Sequence, residues 1–422
     1  MSKVRVLVFP CGTEVGLEIA RALEHSLHVE LHGASSRVDH GEQAYIRHAH
    51  LPNIADAAFD ECFAHLLAQW NIDLVFATHD SVQDYLAPRV EGLGVQLVNG
   101  DARTACIARR KSLTYELLGD TPWVPRRYAD ASAVEAWPVV VKPDQGQGGQ
   151  GVTLVADADE LAVALAVVQQ PLVCEYLPGD ELTVDCFTSH RGQLLHVGAR
   201  SRERVVGGIA MRSGPRPTDT QLNDIATTLN ARLALRGPWF FQVRRDRQGD
   251  WKLLEFSSRL STGSVVARAL GVNLPLLAVQ DYLGRDLLLL PEPRLQLVER
   301  RLENKAVLDY DFDTCYLDLD DTLVCAGRAN PQAMRLAYRL LQLDKRLVLL
   351  TRHAGDLTAT LEAAHIPLTM FERIVHLREG EPKSDHVRAP AIFIDNHFPE
   401  RLDVSRRHGI PVFDVDAMDL LF

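Results

Sequence analysis

The sequence predicts a multidomain protein that joins α/β layers to an α+β block. Three observations predict it. The 422 residues exceed a single core, since roughly 150 residues per domain calls for two to four domains. Short apolar runs alternate with helical patterns at both ends of the chain, the rhythm of parallel sheets. Between them, apolar runs meet across short turns, as in antiparallel hairpins.

Composition narrows the function classes. Hydrophobic residues make up 46% and charged residues 24%, as in ordinary globular proteins. The 45 Lys and Arg against 56 Asp and Glu leave a net charge of −11. That sign argues against a nucleic-acid partner or a membrane surface, yet permits a local basic pocket. No apolar run approaches the ~20 residues of a membrane span. The opening MSKVRVLVFPCG reads as a first strand, not a signal peptide. Seven cysteines without a CxxC pair suit a reducing, cytoplasmic setting and carry no zinc spacing. Assembly into a homo-oligomer is left open by the sequence.

Residues 1–105 form the first layer. VRVLVF leads through the turn PCGTEVG into the helix GLEIARALEHS, and HVELHGAS, IDLVFAT and GVQLVNG read as further buried strands. The stretch Ile54 to Trp70 reads as a helix. This is a Rossmann-like layer. Its turn holds only Gly12 and Gly16, so the GxGxxG spacing is not met, and a tight strand–helix turn explains it better than a dinucleotide site.

Residues 106–290 form the second block. VVVKPDQGQGGQGV reads as strand, glycine-rich turn and strand. Gly146, Gly148, Gly149 and Gly151 free the backbone to donate N–H groups to phosphate oxygens, and Lys142 can add a point charge. A flexible hairpin tip is the competing reading, since the Walker spacing is absent. A helix (DADELAVALAVVQQ) and the strand PLVCEYL follow, then hairpins turning at Arg191–Gly192 and Gln248–Gly249. Gln242 and Glu255 fall on the two strands of the last hairpin, where their oxygens suit Mg²⁺ beside nucleotide phosphates. Taken one at a time, such carboxylates read as solvated strand residues. Arg202, Arg204 and Arg212, flanking VVGGIAM, read as surface arginines or as an anion-binding edge.

This order of motifs resembles the ATP-grasp superfamily, especially the branch of the carbamoyl-phosphate synthase large subunit, over about residues 1–290. The resemblance implies a Rossmann-like pre-domain followed by two grasping lobes. It implies that Lys111 and Lys142 contact ATP phosphates under the glycine loop. Glu175, Tyr176 and Leu177 would line adenine, and Glu181 would hold the ribose. Gln242 and Glu255 would bind Mg²⁺, with Mn²⁺ as a substitute, and Arg259 would stabilise the transferring phosphoryl group. One position departs: the family reads Glu-x-Asn-x-Arg, whereas this chain reads Glu255-Phe-Ser257-Ser-Arg259. Serine is a shorter and weaker ligand than asparagine.

Residues 291–311 (PEPRLQLVERRLENKAV and onward) read as a linker. Residues 312–422 repeat a βαβ rhythm: CYLDLD, PQAMRLAYRLLQL, RLVLLTR, DLTATLEAAH and AIFID. Asp318 and Asp320, two apart at a strand end, can divide labour between nucleophilic attack on phosphorus and protonation of the leaving oxygen. Thr351 ends a later strand, Lys383 can neutralise an aspartyl phosphate, and Asp395 supplies a third metal carboxylate. Four such motifs in order resemble the haloacid dehalogenase (HAD) superfamily, in its phosphatase branch. Here Asn396 replaces the second acidic residue of the last motif. The short span between Thr322 and Thr351 leaves only a minimal cap, and implies a site that is open or covered by the ATP-grasp region.

The expectation is a bifunctional enzyme. An ATP-dependent ligase would join a small-molecule carboxylate to an amine or similar nucleophile through an acyl phosphate, and a HAD-type Mg²⁺-dependent phosphatase would hydrolyse a phosphorylated small molecule. Two alternatives stand beside it: a phosphotransferase paired with a phosphatase, and one domain reduced to a regulatory role.

Overall fold

The computed structural model describes residues 3–45, 47–146, 148–291, 294–378 and 380–421. The chain divides into two compact units between Arg301 and Leu302. The connector residues Glu292 and Pro293, and Gln147 of the glycine-rich turn, lie outside the described residues.

The first unit begins with a five-stranded parallel sheet in the order Arg47–His50, Val29–Ser35, Val4–Phe9, Leu74–Ala77, Gln96–Leu97. Val4–Phe9 is apolar on both faces, as a central parallel strand must be. Val4, Val6 and Val8 pack on Val15, Ile19 and Leu23 of helix Glu14–Leu23. Leu7 and Phe9 pack on Phe59, Phe63 and Leu66 of helix Phe59–Gln69. The order reverses at Val4–Phe9, so the loops after it and after Leu74–Ala77 form the switch point where ligands enter such sheets. Thr78 Oγ1 donates to the Pro10 carbonyl at 2.6 Å and ties those loops together.

Two details differ from the sequence reading. The helix expected from Ile54 starts at Phe59. Asn53 and Asp56 accept from the backbone N–H groups of Ala55 and Ala58, and these Asx turns compete with helix. The strand Arg47–His50 was not foreseen, because RHAH has no apolar alternation and lies at the sheet edge.

Two antiparallel sheets follow. The smaller has the order Arg127–Tyr128, Pro171–Glu175, Val139–Pro143, Thr153–Val155. Its Val139, Val141, Val155 and Val173 pack on Leu161 and Ala164 of helix Ala158–Val167. The larger has the order Pro215–Arg216, Leu194–Ser201, Glu181–Thr188, Gly237–Arg245, Trp251–Ser257. Its period-two alternation separates two faces. Leu182, Val184, Phe241, Val243 and Leu253 bury against Leu222, Ile225 and Leu229 of helix Thr220–Arg232. The other face carries a directly paired row, Arg200–Thr183–Gln242–Glu255.

The second unit is built on a parallel sheet of five strands: Arg373–His376, Arg346–Thr351, Thr314–Leu317, Ala391–Ile394, Val412–Phe413. Cys315, Leu317, Leu349 and Ile392 fill one face, and Tyr316, Val348, Leu350 and Phe393 the other. A small hairpin, Val324–Cys325 with Arg328–Ala329, and helix Pro331–Gln342 occupy the span before Arg346.

Candidate functional site

In the first unit the polar sheet face and the glycine-rich turn form the candidate site. Lys142, 6% exposed, ends strand Val139–Pro143. Its Nζ donates to the Tyr115 hydroxyl at 2.6 Å, and that hydroxyl donates to the Leu254 carbonyl at 2.7 Å. A register shift between Gln242 and Val243 leaves Leu254 opposite no partner residue. Tyr115 thus fixes the lysine head across two sheets, a role no local sequence signal betrays. Lys111 opens helix Lys111–Leu117. Burial lowers its pKa, Glu255 opposes that, and neighbouring Lys142 adds to the lowering. Two ammonium groups near enough to influence each other, neither tied in an ion pair among the described residues, suit phosphate oxygens.

The glycine turn reaches the opposite lobe. Gly148 (φ +61°) abuts the turn Gly207–Gly208, and a Cβ on Gly208 (φ +79°) would stand 2.1 Å from the Gly148 Cα. Gly149 and Gly151 also have positive φ, whereas Gly146 packs near Pro143.

Glu175 ends its strand with Oε1 accepting from the Arg126 backbone N–H at 2.8 Å. Tyr176 is half-buried and Leu177 is buried in the segment that follows. Glu181 pairs with Arg202 at 2.6 Å. Arg204 pairs with Glu299, and Arg212 with Glu203 and Glu299, so these two arginines are neutralised on the small sheet Glu203–Val206, Ile209–Ser213, Val298–Glu299. The anion-binding edge considered for Arg202, Arg204 and Arg212 is therefore occupied by glutamates.

Gln242 and Glu255 lie side by side on paired strands. Beside them the fully buried Thr183 hydroxyl has no hydrogen-bond partner. Oxygen donors converging next to an orphaned hydroxyl fit a hard cation such as Mg²⁺.

Ser257 and Arg259 are engaged from the parallel layer. Asp80 opens helix Asp80–Leu86 directly after strand Leu74–Ala77 and residues Thr78 and His79. Its Oδ1 accepts from Ser257 Oγ at 2.5 Å, and Oδ2 accepts from Arg259 at 2.7 and 3.1 Å. Burial alone would raise the Asp80 carboxyl, but Arg259 and Ser257 outweigh it and hold it below the usual carboxylate range. The serine that replaces the family asparagine thus has a partner other than a metal. A second buried network stands on the same face: Arg200 Nε donates to Asp185 at 2.7 Å, and Ser261 donates to the other Asp185 oxygen at 2.5 Å. Asp80, Tyr115 and Asp185 are the residues that sequence reasoning missed here.

The comparisons agree with this architecture. Residues 168–304 match the family model described as ATP-grasp in the biosynthetic pathway with Ter operon. No curated protein matches the chain in a sequence comparison. Among solved structures, the biotin carboxylase domain of the Hydrogenobacter thermophilus 2-oxoglutarate carboxylase, with MgADP, ADP and bicarbonate, aligns with a TM-score of 0.58 at 14% identity, over 70% of this chain and 73% of that one. An L-amino acid ligase from Bacillus licheniformis aligns at 0.55 and 19% identity, over 67% and 74%. N5-carboxyaminoimidazole synthetase from Staphylococcus aureus, with ADP, aligns at 0.56 and 13% identity, over 68% and 79%. Residues 168–304 thus match an ATP-grasp family model, and about two thirds of the chain shares the fold of these structures.

In the second unit, Asp318, Asp395 and Lys383 meet at the carboxyl ends of adjacent strands. Lys383 Nζ, 3% exposed as a residue, donates to Asp318 at 2.5 Å and to Asp395 at 2.6 Å. Two carboxylates and one ammonium leave one negative charge uncompensated. Burial pushes the Asp318 carboxyl up to about 6, with Lys383 opposing and Asp395 adding to the rise. That surplus charge fits a bound divalent cation. Thr351 is fully buried at its strand end and accepts from the His353 N–H at 3.2 Å. Asp320 is exposed and contacts His353 Nδ1 at 2.9 Å. His353 is a further residue the sequence reading missed. Asn396 donates its backbone N–H to Thr322 at 3.2 Å. Among the described residues no helix is long and apolar enough to cross a membrane.

Two outcomes follow from this geometry. A side chain at Gly208 would be strained and would displace Gly148, costing about 1–2 kcal/mol. Gly208→Ala is therefore expected to weaken ATP binding roughly tenfold in calorimetry. Gly192→Ala, with equal φ strain but open space around it, should leave that affinity unchanged. For Asp318 the folded pKa lies above the ordinary value of 3.8, so its contribution to stability is full below that value and is lost as pH rises through about 6. Asp318→Asn should melt higher than wild type in EDTA at about pH 7.5, with no gain below about pH 4. Equal melting at both values would contradict the surplus-charge reading.

Proposed function

We propose that the first unit is an ATP-dependent ligase that activates a carboxylate and passes the acyl group to an amine or similar nucleophile. The observation that carries this reading is the buried Lys142 head and the half-buried Lys111 near the oxygen donors Gln242 and Glu255. Lys142 and Lys111 bind the phosphates, and the glycine turn excludes water above them. Bound Mg²⁺, held by Gln242 and Glu255, would supply further charge neutralisation. The substrate carboxylate attacks the γ-phosphorus, ADP departs, and the acyl phosphate is then attacked at carbon by the nucleophile with release of phosphate. Arg259 directs its guanidinium to the developing charge, and Asp80 orients it. Solved neighbours described as an L-amino acid ligase and as ADP- or MgADP-bound proteins support this choice of reaction class.

The second unit is proposed to be a HAD-type phosphatase. Asp318 attacks phosphorus to form an aspartyl phosphate while Asp320 protonates the leaving oxygen. Lys383 and Thr351 hold the phosphoryl oxygens, and water then releases phosphate. Bound Mg²⁺, held by Asp318 and Asp395, would offset the surplus negative charge. Its substrate is a phosphorylated small molecule, proposed to arise from the ligase's own substrate or product, and the protein is proposed to act in the cytoplasm.

The test is incubation of the full chain with ATP, Mg²⁺ and a panel of carboxylates and amines, reading ADP release and the product mass. Stimulated release with a new amide or ester is expected, and Lys142→Met should abolish it. A phosphorylated acceptor with no joined product would instead identify a phosphotransferase.

A further inference from the structure

Three donors of different chemistry converge at the carboxyl edge of the parallel sheet, apart from every group used above. Cys11 lies in the loop after Val4–Phe9, Asp39 in the loop after Val29–Ser35, and His48 on the edge strand Arg47–His50. The Cys11 Sγ, an Asp39 carboxylate oxygen and a His48 ring nitrogen all lie within 4.8 Å of one another. Cys11 is fully buried, and Asp39 and His48 are half-buried.

Two independent features point to a ligand there. The first is an orphaned atom: His48 Nε2 is buried and has no hydrogen-bond partner, which a protein normally avoids. The second is the space kept around the donors. A Cβ on Gly12 would stand 2.0 Å from the Asp39 carboxylate, and one on Gly41 would stand 2.5 Å from Cys11 Sγ. Glycine at both positions lets thiol and carboxylate approach closely. The Gly41 N–H holds Asp39 Oδ1 at 2.8 Å and orients that carboxylate. Among the described residues the Cys11 thiol makes one weak hydrogen-bond contact, to the Ser35 hydroxyl at 3.3 Å.

We propose that Cys11, Asp39 and His48 bind a divalent transition ion, with Zn²⁺ the best match. Sulfur, imidazole nitrogen and carboxylate oxygen together suit a borderline-soft ion, whereas Mg²⁺ requires oxygen alone. Tetrahedral zinc with sulfur at 2.3 Å and nitrogen or oxygen at about 2.1 Å sets its donors roughly 3.5 Å apart. Rotamer adjustment of the half-exposed Asp39 and His48 closes the remaining distance. Three protein donors leave one position open, for water or a donor atom of a small molecule entering at the sheet edge. The spacing of 11, 39 and 48 carries no zinc signature because each donor comes from a different strand end.

The test is Co²⁺ titration of the EDTA-treated full chain, followed by its displacement with Zn²⁺. One equivalent of Co²⁺ should bring up a thiolate-to-cobalt charge-transfer band with visible absorption of tetrahedral intensity, and Zn²⁺ should abolish both. Cys11→Ser should lose the charge-transfer band. Losing even an outer-shell partner costs 10–100-fold in metal affinity, so Asp39→Asn and His48→Gln should weaken binding at least tenfold. These two half-exposed positions keep the test available should Cys11→Ser fail to fold. No thiolate band in the wild type, or an undiminished band in Cys11→Ser or His48→Gln, would overturn the proposal.

Discussion

The first unit turns on one carboxylate. Asp80 stands at the switch point of the parallel sheet and grips Ser257 and Arg259 at the end of the antiparallel sheet. Both oxygens are used, and the pair with Arg259 is largely withdrawn from water. Removing one member of such a pair costs about 3–5 kcal/mol, because the other charge is left buried. The grip therefore sets where the polar face of one sheet meets the loop ends of the other, and with it the geometry of everything that binds between them.

That polar face depends on strict alternation. Leu182, Val184, Phe241 and Val243 fill a core on one side, and Thr183, Gln242 and Glu255 line the site on the other. A register slip of one residue would bury the charges and expose the core. Local pairing then tames most of the charge. Asp185 holds Arg200, and Glu181 holds Arg202. The two lysines Lys111 and Lys142 are the contrast: Lys111 feels both Glu255 and the second ammonium, and Lys142 is held by a neutral tyrosine hydroxyl. The second unit inverts the sign, with Asp318 and Asp395 exceeding the charge of Lys383.

Elements whose signal is local were legible in the sequence. VRVLVF, RLVLLT and AIFI declare buried parallel strands by continuous apolarity, and the ends of the latter two carry Thr351 and Asp395. The glycine turn and the Gln242–Glu255 pair follow from hairpin spacing. What was illegible is what depends on distant partners. Asp80 and Ser257 are 177 residues apart, and neither has a neighbour that marks it. Ser257 reads from sequence as a weakened metal ligand, while the fold supplies a different partner. The strand Arg47–His50 is hidden for another reason: an edge strand half open to solvent needs no apolar face.

Asp80 is the residue on which to test the account. Asp80→Asn keeps the shape and the hydrogen bond to Ser257 but removes the charge that orients Arg259. With a carboxylate that supports the proposed ligase reaction, steady-state kinetics should show kcat reduced about 100-fold with the KM for ATP nearly unchanged. A variant with unaltered kcat, or one that loses only ATP affinity, would contradict the claim that this interaction assembles the site.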